Sequence, residues 1–132
     1  MGTNDYSLPV EAVMADEIAR VRPWPLRAAD RRELFAEWCR KNPDVLRELE
    51  LTALSIDAHG LRVSTKYLIE RQRYEGHYKA VGVPFTDYQG TVRVYSVNNS
   101  DSSLMARWLL SRHPDMDIEL RRSMFDEEVD RD

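Results

Sequence analysis

The chain has 132 residues, 42% apolar and 32% charged, with a formal net charge of -4. That is one domain's worth of sequence, with no run of about 18 apolar residues to span a bilayer and no basic leader or continuous apolar stretch in the first twenty residues to mark a signal peptide. A single cysteine, Cys39, excludes an internal disulfide and a multi-cysteine metal centre, so the expectation is a soluble cytoplasmic protein that needs no cofactor.

Residues 1–17 carry four acidic groups and no Lys or Arg, and residues 123–132 carry five acidic groups against Arg131. The stretch between, 18–122, holds 18 basic and 14 acidic groups, a net of +4. The expected division is an acidic N-terminal segment and arm over 1–27, one domain over 28–122 and an acidic tail over 123–132. Acidic ends of this kind aid solubility, or mask a basic face or meet a protein partner.

Val21-Arg22-Pro23-Trp24-Pro25-Leu26 cannot be helical, because each proline restrains the residue before it and offers no amide donor. It reads as an extended arm anchored on the body by Trp24. A first helix follows over Ala28–Lys41, with Leu34, Phe35, Trp38 and Cys39 on one apolar stripe. Asn42 is placed to cap the second helix, with Pro43 at its first position. That helix runs to His59 on a broad apolar face that includes Val45, Leu46, Leu49 and Ala53, and Gly60 ends it in the left-handed conformation.

Leu61-Arg62-Val63 reads as a short extended piece. Ser64 caps a third helix through Glu75, whose apolar members are Tyr67, Leu68 and Tyr74, and Gly76 closes it. The period then changes. Tyr78–Phe85 and Thr91–Val97 read as two antiparallel strands joined by a turn over Thr86–Gly90, with Pro84 putting the first strand at an edge or making it irregular. Asn98-Asn99-Ser100 opens a fourth helix, capped by Asn99 or Ser100, with Leu104, Met105, Trp108 and Leu109 as its stripe. Pro114 breaks it, and Asp115–Met124 could form one more short helix.

The fold class expected is mainly α with a small antiparallel β-hairpin, a winged helix-turn-helix-like domain with additional C-terminal helices. In such a module the third helix enters the major groove and the hairpin touches the backbone or minor groove. The candidate nucleic-acid residues are Arg62, Thr65, Lys66, Gln72 and Arg73 on or beside the third helix, with Lys79 and Arg93 on the hairpin. Arg and Gln can read base edges through paired hydrogen bonds, while Lys and Thr can hold phosphates. Glu70 shares the face of Lys66 and Arg73 and repels phosphate unless it reads cytosine or pairs with an arginine. The plainer reading of this helix is a solvated face laced with pairs such as Lys66 to Glu70, and of Lys79 and Arg93, solvent-facing strand charges. Trp24, Arg31, Arg32 and Arg107 are candidate contacts for a protein partner.

Nothing in the spacing nominates an active site. His59 and His113 sit beside helix terminators, where the dipole favours them, and no two histidines form a ligand pair. Cys39 lies on a core-facing stripe, and the glycines fall at punctuation sites instead of in a phosphate-binding loop. The chain is therefore expected to be non-enzymatic.

The segment Val63–Tyr74, and Val97-Asn98-Asn99 followed by Ala106-Arg107 and Pro114, resemble small bacteriophage- and prophage-encoded proteins with a winged-helix-like domain. The resemblance spans about residues 33–122. It implies a phage-linked origin, a winged-helix fold and the host cytoplasm as location, and it carries no catalytic residues. Two functions are in view: a regulatory protein that contacts duplex DNA, and a protein-interaction module that uses the same fold on a host or phage protein or on a second copy of itself.

Overall fold

The computed structural model describes residues 21–120. The acidic segment 1–17, the acidic tail 123–132 and the end of the proposed last helix lie outside the described residues. The elements in chain order are β1 (Val21–Arg22), α1 (Ala28–Lys41), α2 (Pro43–Ala58), α3 (Thr65–Glu75), β2 (Val83–Asp87), β3 (Val92–Tyr95), a single 3-10 turn (Asn99–Asp101) and α4 (Ser102–Arg112). Among the described residues the fold is thus mainly helical, with four helices and a small sheet ordered β1-β2-β3. The sheet is mixed: β1 runs parallel to β2 with Val21 opposite Thr86, and β2 runs antiparallel to β3 with Phe85 opposite Arg93. None of the described helices is long and apolar enough to cross a membrane.

The proline arm is extended, as its sequence requires, and it is stitched down by charge. Asp30, at the third position of α1, accepts from the Arg27 backbone N–H at 3.3 Å and from the Arg27 side chain at 3.2 Å. Arg22 reaches the same carboxylate at 3.2 Å and also contacts Glu33. One buried carboxylate therefore serves the Arg27 backbone N–H at the start of α1 and also holds the arm.

The core is built where the apolar stripes meet. Leu34, Phe35 and Trp38 of α1, Val45, Leu49 and Ala53 of α2, and Leu68 and Ile69 of α3 are buried against Val83, Phe85, Met105 and Leu109. Cys39 and Trp108 pack at its margin. Gly60 has φ +75°, a left-handed conformation that favours a residue without Cβ, and ends α2 as expected. At the far end, Glu50 on α2 is buried and takes Arg112 Nε at 2.6 Å and His113 Nε2 at 2.7 Å, which ties the last turn of α4 to α2.

Four local expectations are corrected. Asn42 does not cap α2 with its side chain. Its amide instead donates to the Trp38 and Val81 carbonyls at 2.8 and 2.9 Å and accepts from the Val81 N–H at 2.7 Å. That exchange explains the second correction: Tyr78–Gly82 is not strand, because its backbone groups are taken by side chains. Glu48 likewise accepts from the His77 and Tyr78 N–H groups, so the strand starts only at Val83 and extends through Thr86 and Asp87, which the sequence placed in the turn.

Third, Asn98 caps the 3-10 turn, accepting from the Ser100 N–H at 2.8 Å, ahead of a helix that starts at Ser102. Fourth, Asp115–Leu120 is not helical. Met116 is buried, and Ile118 forms a parallel bridge with Val63, whose N–H donates to the Asp117 carbonyl at 2.8 Å and whose carbonyl accepts from the Glu119 N–H at 3.0 Å. Those exchanged bonds satisfy the backbone that a helix would otherwise have to serve.

Candidate nucleic-acid interface

Ser64 starts α3 by accepting from the Tyr67 N–H at 3.2 Å. The helix then divides by face. Thr65, Leu68 and Ile69 are buried. Lys66, Tyr67, Arg73 and Tyr74 are exposed, at the three- and four-residue spacing of one solvent stripe with Glu70 half-buried in its middle. Tyr67 and Tyr74, which periodicity assigned to the apolar side, are 52% and 77% exposed. Leu68 with Ile69 is enough to seat the helix, so both phenol rings are left on the outer face.

Glu70 is occupied within the fold. It accepts from Asn99 Nδ2 at 2.9 Å and lies 3.8 Å from Arg73 Nη1. Its charge is therefore offset by a neighbour and a hydrogen bond, and the distance to Arg73 leaves that guanidinium free to take a second acceptor. Arg62, just before the helix, is exposed with its Nε 3.3 Å from Asp117, a solvated pair of the kind worth little. Lys66 and Lys79 are exposed and form no ion pair among the described residues.

The remaining sequence candidates are built into the structure. Thr65 is 4% exposed and cannot reach a phosphate from where it sits. Gln72 donates from Nε2 to Glu48 at 2.7 Å and to the Tyr78 carbonyl at 3.3 Å. Arg93 pairs through Nε with Asp87 at 2.7 Å, and its guanidinium carbon lies 3.7 Å from the centre of the Trp24 ring, which in turn packs 6.3 Å from Phe85. Arg31 pairs with Asp101. Arg32 and Arg107 are half-buried and already engaged. Arg71, on the flank of α3, donates to Thr52 at 3.2 Å and lies 3.9 Å from Glu75.

Two carboxyls are shifted by these contacts. The Gln72 amide, the His77 and Tyr78 N–H groups and the His77 ring hold Glu48 down to about 2. The Arg93 hydrogen bond, joined by the Thr91 and Gln89 N–H groups, lowers Asp87 despite its burial. Both effects favour the charged carboxylate, because every partner donates to it.

The structure thus brings Arg62, Lys66 and Arg73 onto or beside one exposed helix, with Lys79 on the segment that follows it. Sequence reasoning missed the tyrosines between the cations and the two polar clamps, Asn42 and Glu48, that fix the 77–81 segment beside α3. No family model, curated protein or solved structure matches the chain.

Proposed function

We propose that the chain is a non-enzymatic, winged-helix-like regulatory protein that contacts duplex DNA through the exposed face of α3. On this reading α2 and α3 form the helix pair, β2 and β3 form the wing, and β1 is an added strand supplied by the arm. The phage-linked origin belongs to the same proposal. The observation that carries it is the α3 stripe itself: Lys66 and Arg73 stay exposed, Tyr67 and Tyr74 stand beside them, and Glu70 is already bonded to Asn99. Arg62 and Lys79 extend the cationic surface at either end.

Four cations of this kind give modest, salt-sensitive affinity. Each phosphate neutralised contributes about -0.9 to the slope of log K against log salt, so four give about -3.6, or a loss of about 150-fold between 50 and 200 mM. Fluorescence anisotropy with a random-sequence duplex tests this. Binding at micromolar protein and low salt is expected; none at that concentration sinks the proposal.

A second reading is favoured by one observation, the outer side of β3. Among the described residues this strand ends the sheet, and Val92 and Val94 on it are 72% and 67% exposed. An open apolar edge of this kind is a template for a second copy of the chain. Light scattering decides it: a dimer mass that Val94→Lys reduces to the monomer supports self-association, and a monomer mass for the wild type removes it.

A further inference from the structure

Between α3, the 76–80 segment and the core lies a cavity of about 280 Å³. Its two sides differ in kind. The inner wall is made by Trp38, Val45, Leu49, Ile69, Val97 and Met105, all buried core residues. The outer rim is polar and aromatic, with Gln72, Arg73, Tyr74, Tyr78, Lys79 and Ser96. The lining includes two cations and no carboxylate. Two acids lie just outside the lining: Glu48, held by donors from Gln72, His77 and Tyr78, and Glu70, 3.8 Å from Arg73 Nη1 and bonded by Asn99.

Trp38 adds a second, independent feature. It is 3% exposed, and its indole N–H has no acceptor among the described residues. Buried indole N–H groups normally find a partner. Here the unpaired donor belongs to a residue of the cavity wall.

We propose that this cavity is a binding site for a small amphipathic anion, its apolar body against the inner wall and its anionic head at Arg73 and Lys79. The volume sets the size: at about 30 Å³ per water-sized group, it holds about nine or ten heavy atoms. A concave pocket that joins an apolar wall to a few convergent polar groups is a usual form of a small-molecule site. The polar clamps described above now have a role in it. Asn42 on Val81 and Glu48 on Gln72, His77 and Tyr78 hold the rim in place without adding a negative charge to the lining. The inference rests on the cavity and the unpaired Trp38 donor, and stands whether or not α3 meets DNA.

Octanoate, with an apolar tail and a carboxylate, is the probe; octylammonium and acetate are its controls. The readout is the Trp38 indole N–H resonance in a ¹H–¹⁵N spectrum, assigned with Trp38→Phe. Octanoate is expected to shift it with saturation below about 1 mM, while acetate and octylammonium at that concentration leave it in place. The double variant Arg73→Gln, Lys79→Gln changes only exposed side chains, and is expected to weaken octanoate binding about tenfold or more. A shift from octylammonium equal to that from octanoate, unchanged octanoate affinity in the double variant, or no octanoate shift at all overturns the proposal.

Discussion

Arg31 Nη2 lies 2.8 Å from Asp101 Oδ1, an ion pair between residues 70 apart in the chain, and Asp101 is fully buried. The same carboxylate accepts from the Asn98 N–H at 3.2 Å. One group therefore joins α1 to the turn that launches α4. Arg31 is only partly buried, so removing the carboxylate leaves a partly solvated charge uncompensated and costs about 2–3 kcal/mol. Asp101→Ala is expected to lose stability on that scale in urea denaturation, and Asp101→Asn to lose less, since its amide oxygen can still serve Asn98. A loss under about 1 kcal/mol for Asp101→Ala would show that the pair does not hold these elements together.

Glu48 gives the fold a pH dependence of known sign. Its carboxyl is lowered from 4.5 to about 2 by donors from Gln72, His77 and Tyr78. On acidification the unfolded chain takes up this proton first. The stabilisation is therefore complete above about 4.5 and is lost as pH falls towards about 2. Thermal melts of the wild type across that window should fall more steeply than those of Glu48→Gln. Parallel curves would mean that the carboxylate does not secure the 77–78 segment.

Arg93 was a candidate wing contact, but its guanidinium stacks 3.7 Å over Trp24 and bonds Asp87 at 2.7 Å. Lysine keeps the charge but lacks the planar fork that makes both contacts. Arg93→Lys is therefore expected to change the Trp24 fluorescence and destabilise the arm, while leaving DNA affinity within about twofold. A DNA affinity loss as large as that of Arg73→Gln would place Arg93 on the DNA instead.

How much of this was legible beforehand depends on whether the deciding partner is near in sequence. The helices were readable because stripes such as Leu34-Phe35-Trp38 and markers such as Pro43, Gly60 and Ser64 act within a turn or two. The strand start was not, because Asn42 binds Val81 from 39 residues away and Glu48 binds His77 from 29. Arg31 and Arg93 looked like surface cations by residue type. Only the fold brings Asp101 and Asp87 to them, and only the fold turns Thr65 inward and Tyr67 outward. Lys66 and Arg73 were legible because their spacing alone puts them on one face.

Cys39 illustrates the same point at the core margin. Burial pushes its thiol up to about 11, with Arg40 opposing weakly. Since the thiolate is the nucleophile, the native protein should react with an aromatic disulfide at pH 8 about a hundredfold more slowly than the urea-unfolded chain. Equal rates would show an accessible thiol.

The salt dependence of duplex binding, compared between wild type and Lys66→Gln, Arg73→Gln, tests the central claim most directly. Both substitutions are on exposed side chains, so stability should hold. Each lost phosphate contact reduces the magnitude of the slope by about 0.9, and the double variant is expected to go from about -3.6 to about -1.8 with weaker binding at every salt concentration. A slope and affinity equal to the wild type's would contradict the assignment of DNA contact to the α3 face.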